Sequence, residues 1–151
     1  MRELMATQLR HGRVTWIGIR PARRAEILRV DRVRVDREGL TGDRGSGGKR
    51  AVTLIQAEHI PVISDLCGGD ATPERLRRNV VVAGINLATL RGREVLVGTA
   101  RLRLTGPCAP CSRMEEALGA GGYQAVRHHG GWCAEVLSAG DVALDDAVAV
   151  V

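Results

Sequence analysis

Apolar and polar residues alternate along several short stretches of the chain, with the period of a half-buried β-strand. Glycine-containing turns separate most of these stretches, and Gly98-Thr99 between two of them is typical of a hairpin turn. The predicted strands cover residues 12–19, 27–35, 51–55, 80–82, 95–97, 100–105, 132–137 and 147–151. Many short strands joined by glycine turns predict a β-barrel.

Helical patterns are fewer and shorter than the strands. Residues 56–66 place apolar side chains on one helical face, with Pro61 in the first turn, where its missing N–H is tolerated. Residues 112–118 predict a second helix, and Pro73 and residues 123–127 predict single helical turns. The predicted fold class is therefore mainly β with a few helices, an antiparallel β-barrel in which residues 1–151 form a single domain.

The composition limits the classes of function. The chain has 151 residues, is 44% hydrophobic, and carries a formal net charge of +5, almost entirely as arginine. Arginine matches phosphate and carboxylate groups with two parallel hydrogen bonds. A nucleic-acid partner is not expected, because the chain has no run of basic residues and few aromatic side chains for base stacking.

The sequence also suggests a compartment. No stretch approaches the roughly 20 apolar residues that cross a bilayer, so no membrane partner is expected. The N-terminus has no apolar segment of the kind found in secretion signals. We therefore expect a cytoplasmic protein whose four cysteines, Cys67, Cys108, Cys111 and Cys133, are reduced thiols.

The stretch 104–114 carries the strongest chemical signal. A predicted strand breaks at Gly106-Pro107, and a predicted helix begins at Ser112, so Cys111 falls at a helix N-terminus. Unpaired N–H groups and the helix dipole stabilise a thiolate there, and Arg113 adds a positive charge. The pattern favours Cys111 as a nucleophile or a ligand for a soft metal.

Other interpretations of the Cys-x-x-Cys spacing remain open. Cys108 and Cys111 would form half of a zinc site, with further ligands from Cys67, Cys133, His128 or His129. They would also suit a thioredoxin-type redox pair, although the βαβ alternation of that fold is missing. Two buried structural cysteines would show the same spacing.

A glycine-rich loop at 39–50 contains Arg44, Lys49 and Arg50. It is either a surface connection or an anion cradle, in which glycines let backbone N–H groups approach a phosphate. It lacks the G-x-x-x-x-G-K-[ST] pattern of a Walker A loop. Asp43 is expected to organise the loop by pairing with an arginine or by capping a turn.

Four stretches in order resemble the MOSC family, named for the C-terminal domain of molybdenum-cofactor sulfurases. The stretches are 39–44 (Gly-Leu-Thr-Gly-Asp-Arg), 77–82 with 84–87 (Arg-Arg-Asn-Val-Val-Val and Gly-Ile-Asn-Leu), 105–111 (Thr-Gly-Pro-Cys-Ala-Pro-Cys) and the closing strand with Gly140-Asp141. The resemblance runs from about Val14 to the C-terminus. It implies a mostly antiparallel β-barrel with a few helices, in agreement with the strand pattern.

The resemblance also implies a site for molybdenum cofactor (molybdopterin), a pterin that bears a phosphate and a dithiolene-bound metal. The family's single cysteine falls on Cys111, which would ligate molybdenum or carry sulfur. Arg44, Arg77 and Asn79 match family positions expected to hold the pterin and its phosphate. Charge and closeness in sequence, rather than the resemblance, add Arg50 and Arg113 as cofactor-binding candidates.

Two activities follow from the resemblance. The chain would reduce a small N-hydroxylated substrate with electrons from a partner reductase, or it would carry sulfur or cofactor to a molybdoenzyme. The pyridoxal-phosphate domain of the sulfurases is missing, so pyridoxal phosphate is not expected here. Cys108 could resolve a persulfide on Cys111 or form a disulfide with it. The alternative is a small non-catalytic zinc or thiol-redox module that uses Cys108 and Cys111.

Overall fold

The computed structural model describes residues 1–45 and 47–151, so Ser46 of the glycine-rich loop lies outside the described residues. The strands are β1 (Gly12–Ile19), β2 (Leu28–Arg29), β3 (Arg32–Asp36), β4 (Gly39–Leu40), β5 (Val52–Gln56), β6 (Val80–Ala83), β7 (Glu94–Val97), β8 (Ala100–Pro107), β9 (Trp132–Ser138), β10 (Gly140–Ala143) and β11 (Ala147–Val150).

The helices are short. They are α1 (Arg2–Ala6), α2 (His59–Cys67), α3 (Pro73–Leu76), α4 (Ser112–Leu118) and α5 (Gly122–Val126), with 3-10 turns at Gly48–Arg50 and Leu87–Leu90. Within residues 1–45 and 47–151, no helix has both the length and the apolar character that crossing a membrane requires.

Seven strands close into a barrel, which confirms the predicted fold class. Their order is β1, β6, β5, β9, β8, β7 and β11, and β11 pairs again with β1. The pairing of β5 with β6 is parallel, and the other neighbours in the barrel are antiparallel. A smaller sheet of β10, β3 and β4 accompanies the barrel.

The strands are buried on both faces in one part of the barrel, which explains their continuous apolar runs. In β5, Leu54 belongs to the core inside the barrel, whereas the next residue, Ile55, packs in a second core with Trp16. The second core also contains Ile63 of α2 and Met114 of α4. Helices α2 to α5 therefore cover one outer side of the barrel, and the segment before α4 lies beside the barrel wall.

The structure corrects the predicted strand pattern in three places. The predicted strand at 27–35 is two strands, because the chain pairs first with β1 and then with β10. A further strand, β10, lies between the predicted strands at 132–137 and 147–151, and its Gly140 pairs with Val35. Strand β8 continues past residue 105 to Pro107, which lies opposite Trp132 of β9.

Candidate functional site

A cavity of about 320 Å³ opens where β1 and β8 end and β5 and β9 begin. Three arginines and two cysteines contribute to its lining, and we call it the basic pocket. It is lined by Arg20, Arg44, Gly45, Arg50, Thr53, Pro107, Cys108, Ala109 and Cys133. Guanidinium groups beside thiols make this cavity suited to an anion that also carries a soft atom.

A buried ion pair fixes one side of the basic pocket. Asp43, whose side chain is 0% exposed, accepts hydrogen bonds from Arg20 Nε at 3.1 Å and Nη2 at 3.0 Å. It also accepts the backbone N–H groups of Arg20 at 2.7 Å and Gly45 at 3.0 Å. Burial would raise the pKa of Asp43, but the hydrogen bonds from Arg20 outweigh it and lower that pKa. The structure confirms that Asp43 organises the loop by pairing with an arginine.

Asn79 is hydrogen-bonded to Asp43 of this ion pair and does not line the basic pocket. It is 0% exposed, and its Nδ2 donates to the Gly18 carbonyl and to Asp43 Oδ1, each at 3.1 Å. Its Oδ1 accepts the Thr53 N–H at 3.0 Å and the Thr53 hydroxyl at 3.2 Å. Both ends of the amide are therefore occupied by protein groups, so Asn79 sets the position of Asp43.

Four arginines were put forward from the sequence as cofactor-binding candidates. Arg44 and Arg50 line the basic pocket, whereas Arg77 lines a separate cavity with Ala25 and Ile27, and Arg113 is near enough to Arg77 to influence its charge. Burial is the largest cause that lowers the pKa of Arg77, and like charges on neighbouring arginines lower it further. These neighbours are Arg20, Arg44 and Arg113.

Arg77 has unused hydrogen-bonding capacity. It follows α3 with a left-handed backbone (φ 56°), and its Nη1 donates to the Ala25 carbonyl. Its Nη2 is buried and finds no acceptor among the described residues. A buried donor without a partner costs about 1–3 kcal/mol. An anion that accepted a hydrogen bond from Arg77 Nη2 would remove this cost and would therefore bind more tightly.

The structure places Cys111 at the N-cap of α4, as the sequence predicted. Its side chain is exposed and makes no capping hydrogen bond, and it does not line the basic pocket. Residues 108–110 separate it from strand β8. Cys111 is therefore an exposed thiol two residues beyond Ala109, which lines the basic pocket.

Cys108 and Cys133 face each other in the pocket wall. Their Sγ atoms are 3.3 Å apart, and the two residues are 9% and 7% exposed. The hydrogen bond from Cys108 lowers the pKa of Cys133 to about 7, with burial opposing, and positive charges on Arg50, Arg78 and Arg20 also lower it. The same hydrogen bond, together with burial, raises the pKa of Cys108. Of the two thiols, Cys133 therefore ionises more readily and Cys108 less readily than an ordinary cysteine.

Sequence reasoning missed Arg20 entirely and considered Cys133 only as a zinc ligand. Both residues adjoin strand ends: Arg20 follows β1, and Cys133 is the second residue of β9. A signal was available in the sequence. Polar or reactive side chains occur where several predicted strands end or begin, and those ends meet at one rim of a closed barrel.

The thiolate character of Cys133 gives a direct prediction. The rate of alkylation of Cys133 by iodoacetamide is expected to rise with pH around a midpoint near 7, because the thiolate is the reacting form. Peptide mass spectrometry measures the rate. In the Cys108→Ala variant, which lacks the donated hydrogen bond, the midpoint is expected to move upward. A wild-type midpoint at the ordinary cysteine value of about 8.5 would contradict this assignment.

A second, apolar cavity of about 300 Å³ lies on the other side of the segment at 107–110. It shares Pro107, Cys108 and Ala109 with the basic pocket. It is completed by Pro110, Arg127, His128, Gly130, Gly131 and Trp132. The site thus combines an arginine-lined compartment with an adjoining apolar one.

The residues needed for a protein-built zinc site are not brought together. Across residues 1–45 and 47–151, no group of three or more His, Cys, Asp or Glu side chains could hold a metal ion. His129 packs against His59, with ring centroids 5.6 Å apart, and Cys67 bonds to backbone carbonyls around the end of α2. The alternative zinc site therefore lacks its ligand set in the described structure.

The comparison with known families agrees with this geometry. The family model for the MOSC domain matches residues 41–149. The chain belongs to the MOSC domain family. That family is known for binding molybdenum cofactor. No curated protein sequence matches the chain significantly.

Solved structures share the fold of this MOSC domain at low sequence identity. The YuaD protein from Bacillus subtilis is 19% identical with a TM-score of 0.82, and the match covers 93% of this chain and 96% of that one. YiiM from Geobacillus stearothermophilus is 17% identical with a TM-score of 0.78, covering 93% and 75%. YiiM from Escherichia coli is 20% identical with a TM-score of 0.70, covering 92% and 69%.

Proposed function

We propose that this MOSC domain binds molybdenum cofactor at the basic pocket, with Cys111 as the metal ligand or sulfur carrier. The observation that carries the proposal is the arginine-lined cavity, whose wall includes Ala109 two residues before the exposed Cys111, within a family known for this cofactor. The residues present fit the two chemical halves of the cofactor, which are an anionic phosphate and a dithiolene-bound metal.

Arginines would hold the phosphate. Arg20 is oriented by Asp43, so its position is set before any ligand arrives. Arg44 and Arg50 are exposed at the cavity, and Arg77 offers the buried Nη2 that lacks an acceptor. Charge-assisted hydrogen bonds from guanidinium to phosphate are about twice as strong as neutral ones. Arg113 would add to the positive potential from α4.

Cys111 would provide the soft ligand. A thiolate suits a dithiolene-bound metal, and the exposed Cys111 side chain is free of hydrogen bonds to α4. When bound, the cofactor would supply two-electron redox chemistry. The role of this chain is to orient the cofactor and to shield one side of it with the segment at 107–110.

Two activities remain as proposals, each with its own support. The apolar cavity beside the basic pocket would accept a small N-hydroxylated substrate, which favours a reductase that receives electrons from a partner protein. The exposed position of Cys111 favours transfer of sulfur or cofactor to a molybdoenzyme. Either role requires reduced thiols, as in the cytoplasm.

The test is the molybdenum content of protein made in a host that synthesises the cofactor. Cys111→Ser is expected to lower the molybdenum per chain roughly ten-fold or more, because the metal loses its protein ligand. Plasma mass spectrometry measures the metal, and fluorescence of the oxidised pterin measures the organic part. Reduction of a hydroxylamine by loaded protein with a viologen donor then separates the reductase role from the carrier role.

Matched variants make this test specific. Cys67→Ser removes a half-buried thiol on α2 and is expected to leave the molybdenum content unchanged. Arg44→Glu with Arg50→Glu is expected to lower the metal and the pterin together, whereas Arg2→Glu on α1 is not. Wild-type molybdenum in Cys111→Ser would refute the ligand role. Wild-type pterin in the double charge reversal would refute the pocket.

A further inference from the structure

We propose that Cys108 and Cys133 form a separate redox site, a dithiol that hydroperoxides oxidise to a disulfide within the wall of the basic pocket. The proposal does not depend on molybdenum or on Cys111. It concerns a pair of residues 25 positions apart in the sequence, which the fold brings into contact.

Strand pairing holds the two cysteines in place. In the β8–β9 ladder, Gly106 lies opposite Cys133 and Pro107 opposite Trp132. The Cys108 N–H then donates to the Gly131 carbonyl at 2.8 Å, which continues the pairing one step beyond β8. The backbone therefore fixes both cysteines at adjoining positions of one rim of the barrel.

The two sulfur atoms are already close to bonding geometry. Their separation is 3.3 Å, so closure to the roughly 2.05 Å of a disulfide requires a movement of just over 1 Å. Among the described residues, the Sγ atoms of Cys108 and Cys133 make hydrogen bonds only to each other. No competing partner has to be displaced, and side-chain rotation can supply most of the movement.

The remaining cysteines occupy different surroundings. Cys111 is exposed at the start of α4, and Cys67 bonds to the carbonyls of Ser64 and Gly69. The Cys-x-x-Cys spacing suggested a partnership between Cys108 and Cys111. The structure instead places Cys108 in contact with Cys133, so the disulfide crosses between strands.

The limited access to the two thiols and the positive charges around them determine which oxidant can react. Cys108 and Cys133 are 9% and 7% exposed, but both line the basic pocket, so a small neutral hydroperoxide can reach them. Positive charges on Arg20, Arg50 and Arg78 favour the Cys133 thiolate, which is the attacking form. Cys108 carries the proton of the pair and therefore acts second.

The reaction balances with hydrogen peroxide as the only oxidant. The Cys133 thiolate attacks one peroxide oxygen, the O–O bond breaks, and hydroxide leaves, which takes up a proton to become water. Cys133 is then a sulfenic acid. Cys108 Sγ attacks Cys133 Sγ, the S–O bond breaks, and the oxygen leaves with the thiol proton as a second water. Two thiols and one peroxide thus give one disulfide and two waters, and an external dithiol reverses the change.

Oxidation would alter the basic pocket directly. The disulfide removes the negative charge of the Cys133 thiolate from the pocket wall, whereas the Asp43 carboxylate stays paired with Arg20. It also ties β8 to β9 at the rim. The pocket wall therefore has two chemical states, a dithiol in which Cys108 and Cys133 are hydrogen-bonded and a disulfide in which they are covalently joined.

The test uses the full chain without cofactor, reduced and then exposed to hydrogen peroxide before trapping with N-ethylmaleimide. After trapping, two of the four thiols rather than all four are expected to carry N-ethylmaleimide, and dithiothreitol added before trapping is expected to restore the other two. Trypsin is expected to yield a linked pair of peptides, 104–113 with 128–151, because cleavage follows Arg103, Arg113 and Arg127. Fragmentation assigns the bond to Cys108 and Cys133.

Variants decide between the possible pairs. The link is expected to persist in Cys111→Ser and Cys67→Ser, and to disappear in Cys108→Ser, where Cys133 is expected to stop at the sulfenic acid or oxidise further. The linked pair is expected to form roughly ten-fold faster than Cys67 oxidises. A disulfide within peptide 104–113, or oxidation of Cys133 that is unchanged by Cys108→Ser, would overturn the proposal. Neither outcome depends on molybdenum, so the proposed function is tested separately.

Discussion

Replacing Asp43 with alanine is expected to lower the free energy of unfolding by about 3–5 kcal/mol. The substitution leaves the Arg20 guanidinium, 13% exposed, without its counterion, and it removes the acceptor for two backbone N–H groups. The Nδ2 of Asn79 also loses one of its two acceptors. Urea unfolding at pH 7, followed by the fluorescence of Trp16 and Trp132, measures the loss.

An exposed ion pair provides the matched control for Asp43. Asp145 accepts from Arg13 Nη1 at 2.9 Å, but the two side chains are 76% and 60% exposed. Because exposed pairs gain little over hydration, Arg13→Ala is expected to cost no more than about 1 kcal/mol. Arg13 is the partner to replace, because Asp145 has a left-handed backbone (φ 70°) that alanine would strain. Equal losses in the two variants would mean that the buried pair adds nothing beyond an ordinary surface contact.

The contribution of Asp43 should also depend on pH, with a sign fixed by its pKa. Folding lowers this pKa below its ordinary value of 3.8. The stabilisation is therefore complete above about pH 4 and is lost as the pH falls through the folded value. Asp43→Asn has no charge to lose, so the stability difference between wild type and this variant is expected to shrink on acidification. A difference that stays constant down to pH 2 would contradict the lowered pKa.

These stability effects belong to the site, because the same groups shape the basic pocket. Asp43 holds Arg20, and Asn79 holds Asp43 through a network that reaches Thr53 in the pocket lining. The proposed phosphate contact of Arg20 thus depends on Asp43, whose side chain is buried. The network ties this side of the basic pocket to Thr53 of strand β5, to Arg20 directly after β1 and to Asn79 directly before β6.

The barrel could be predicted from the sequence because its signal is local. Alternation identifies each strand from its own residues, and the breaks at glycine and proline mark their ends. The N-cap position of Cys111 was predictable for the same reason, since a strand, a Gly-Pro break and a helical pattern follow one another within a dozen residues. Strand β4 was missed because two residues, Gly39 and Leu40, are too short for any period.

The site was less predictable because its contacts are not local. Arg20 and Asp43 are 23 positions apart, and Cys108 and Cys133 are 25 apart. The second contact depends on the β8–β9 register, which shifts at two irregularities that alternation does not reveal. Asn79 shows a second limit of prediction from the sequence. It is a polar residue directly before a buried strand, and only the packed structure shows that its amide is used entirely inside the protein.

Replacing Gly131 with alanine is expected to lower the free energy of unfolding by about 3 kcal/mol or more, combining backbone strain with overpacking. Gly131 has a φ of +97°, and an added Cβ would lie 2.1 Å from the Leu54 carbonyl oxygen. That oxygen belongs to β5 beside the start of β9, so neither strand can move without loss of pairing. Urea unfolding compared with wild type measures the effect.

Gly119→Ala isolates the steric part of this effect. Gly119 has a φ of +89°, close to that of Gly131, but an added Cβ there meets no atom within 4 Å. Only backbone strain is added, because a φ of +89° with a ψ of −176° is accessible almost only to glycine, so a loss of about 1–3 kcal/mol is expected. The Gly131 carbonyl also accepts the Cys108 N–H, so Gly131→Ala should slow formation of the Cys108–Cys133 disulfide, whereas Gly119→Ala should not. If both variants lost equal stability and formed the disulfide at the same rate, close packing at Gly131 would not be what positions the pocket wall.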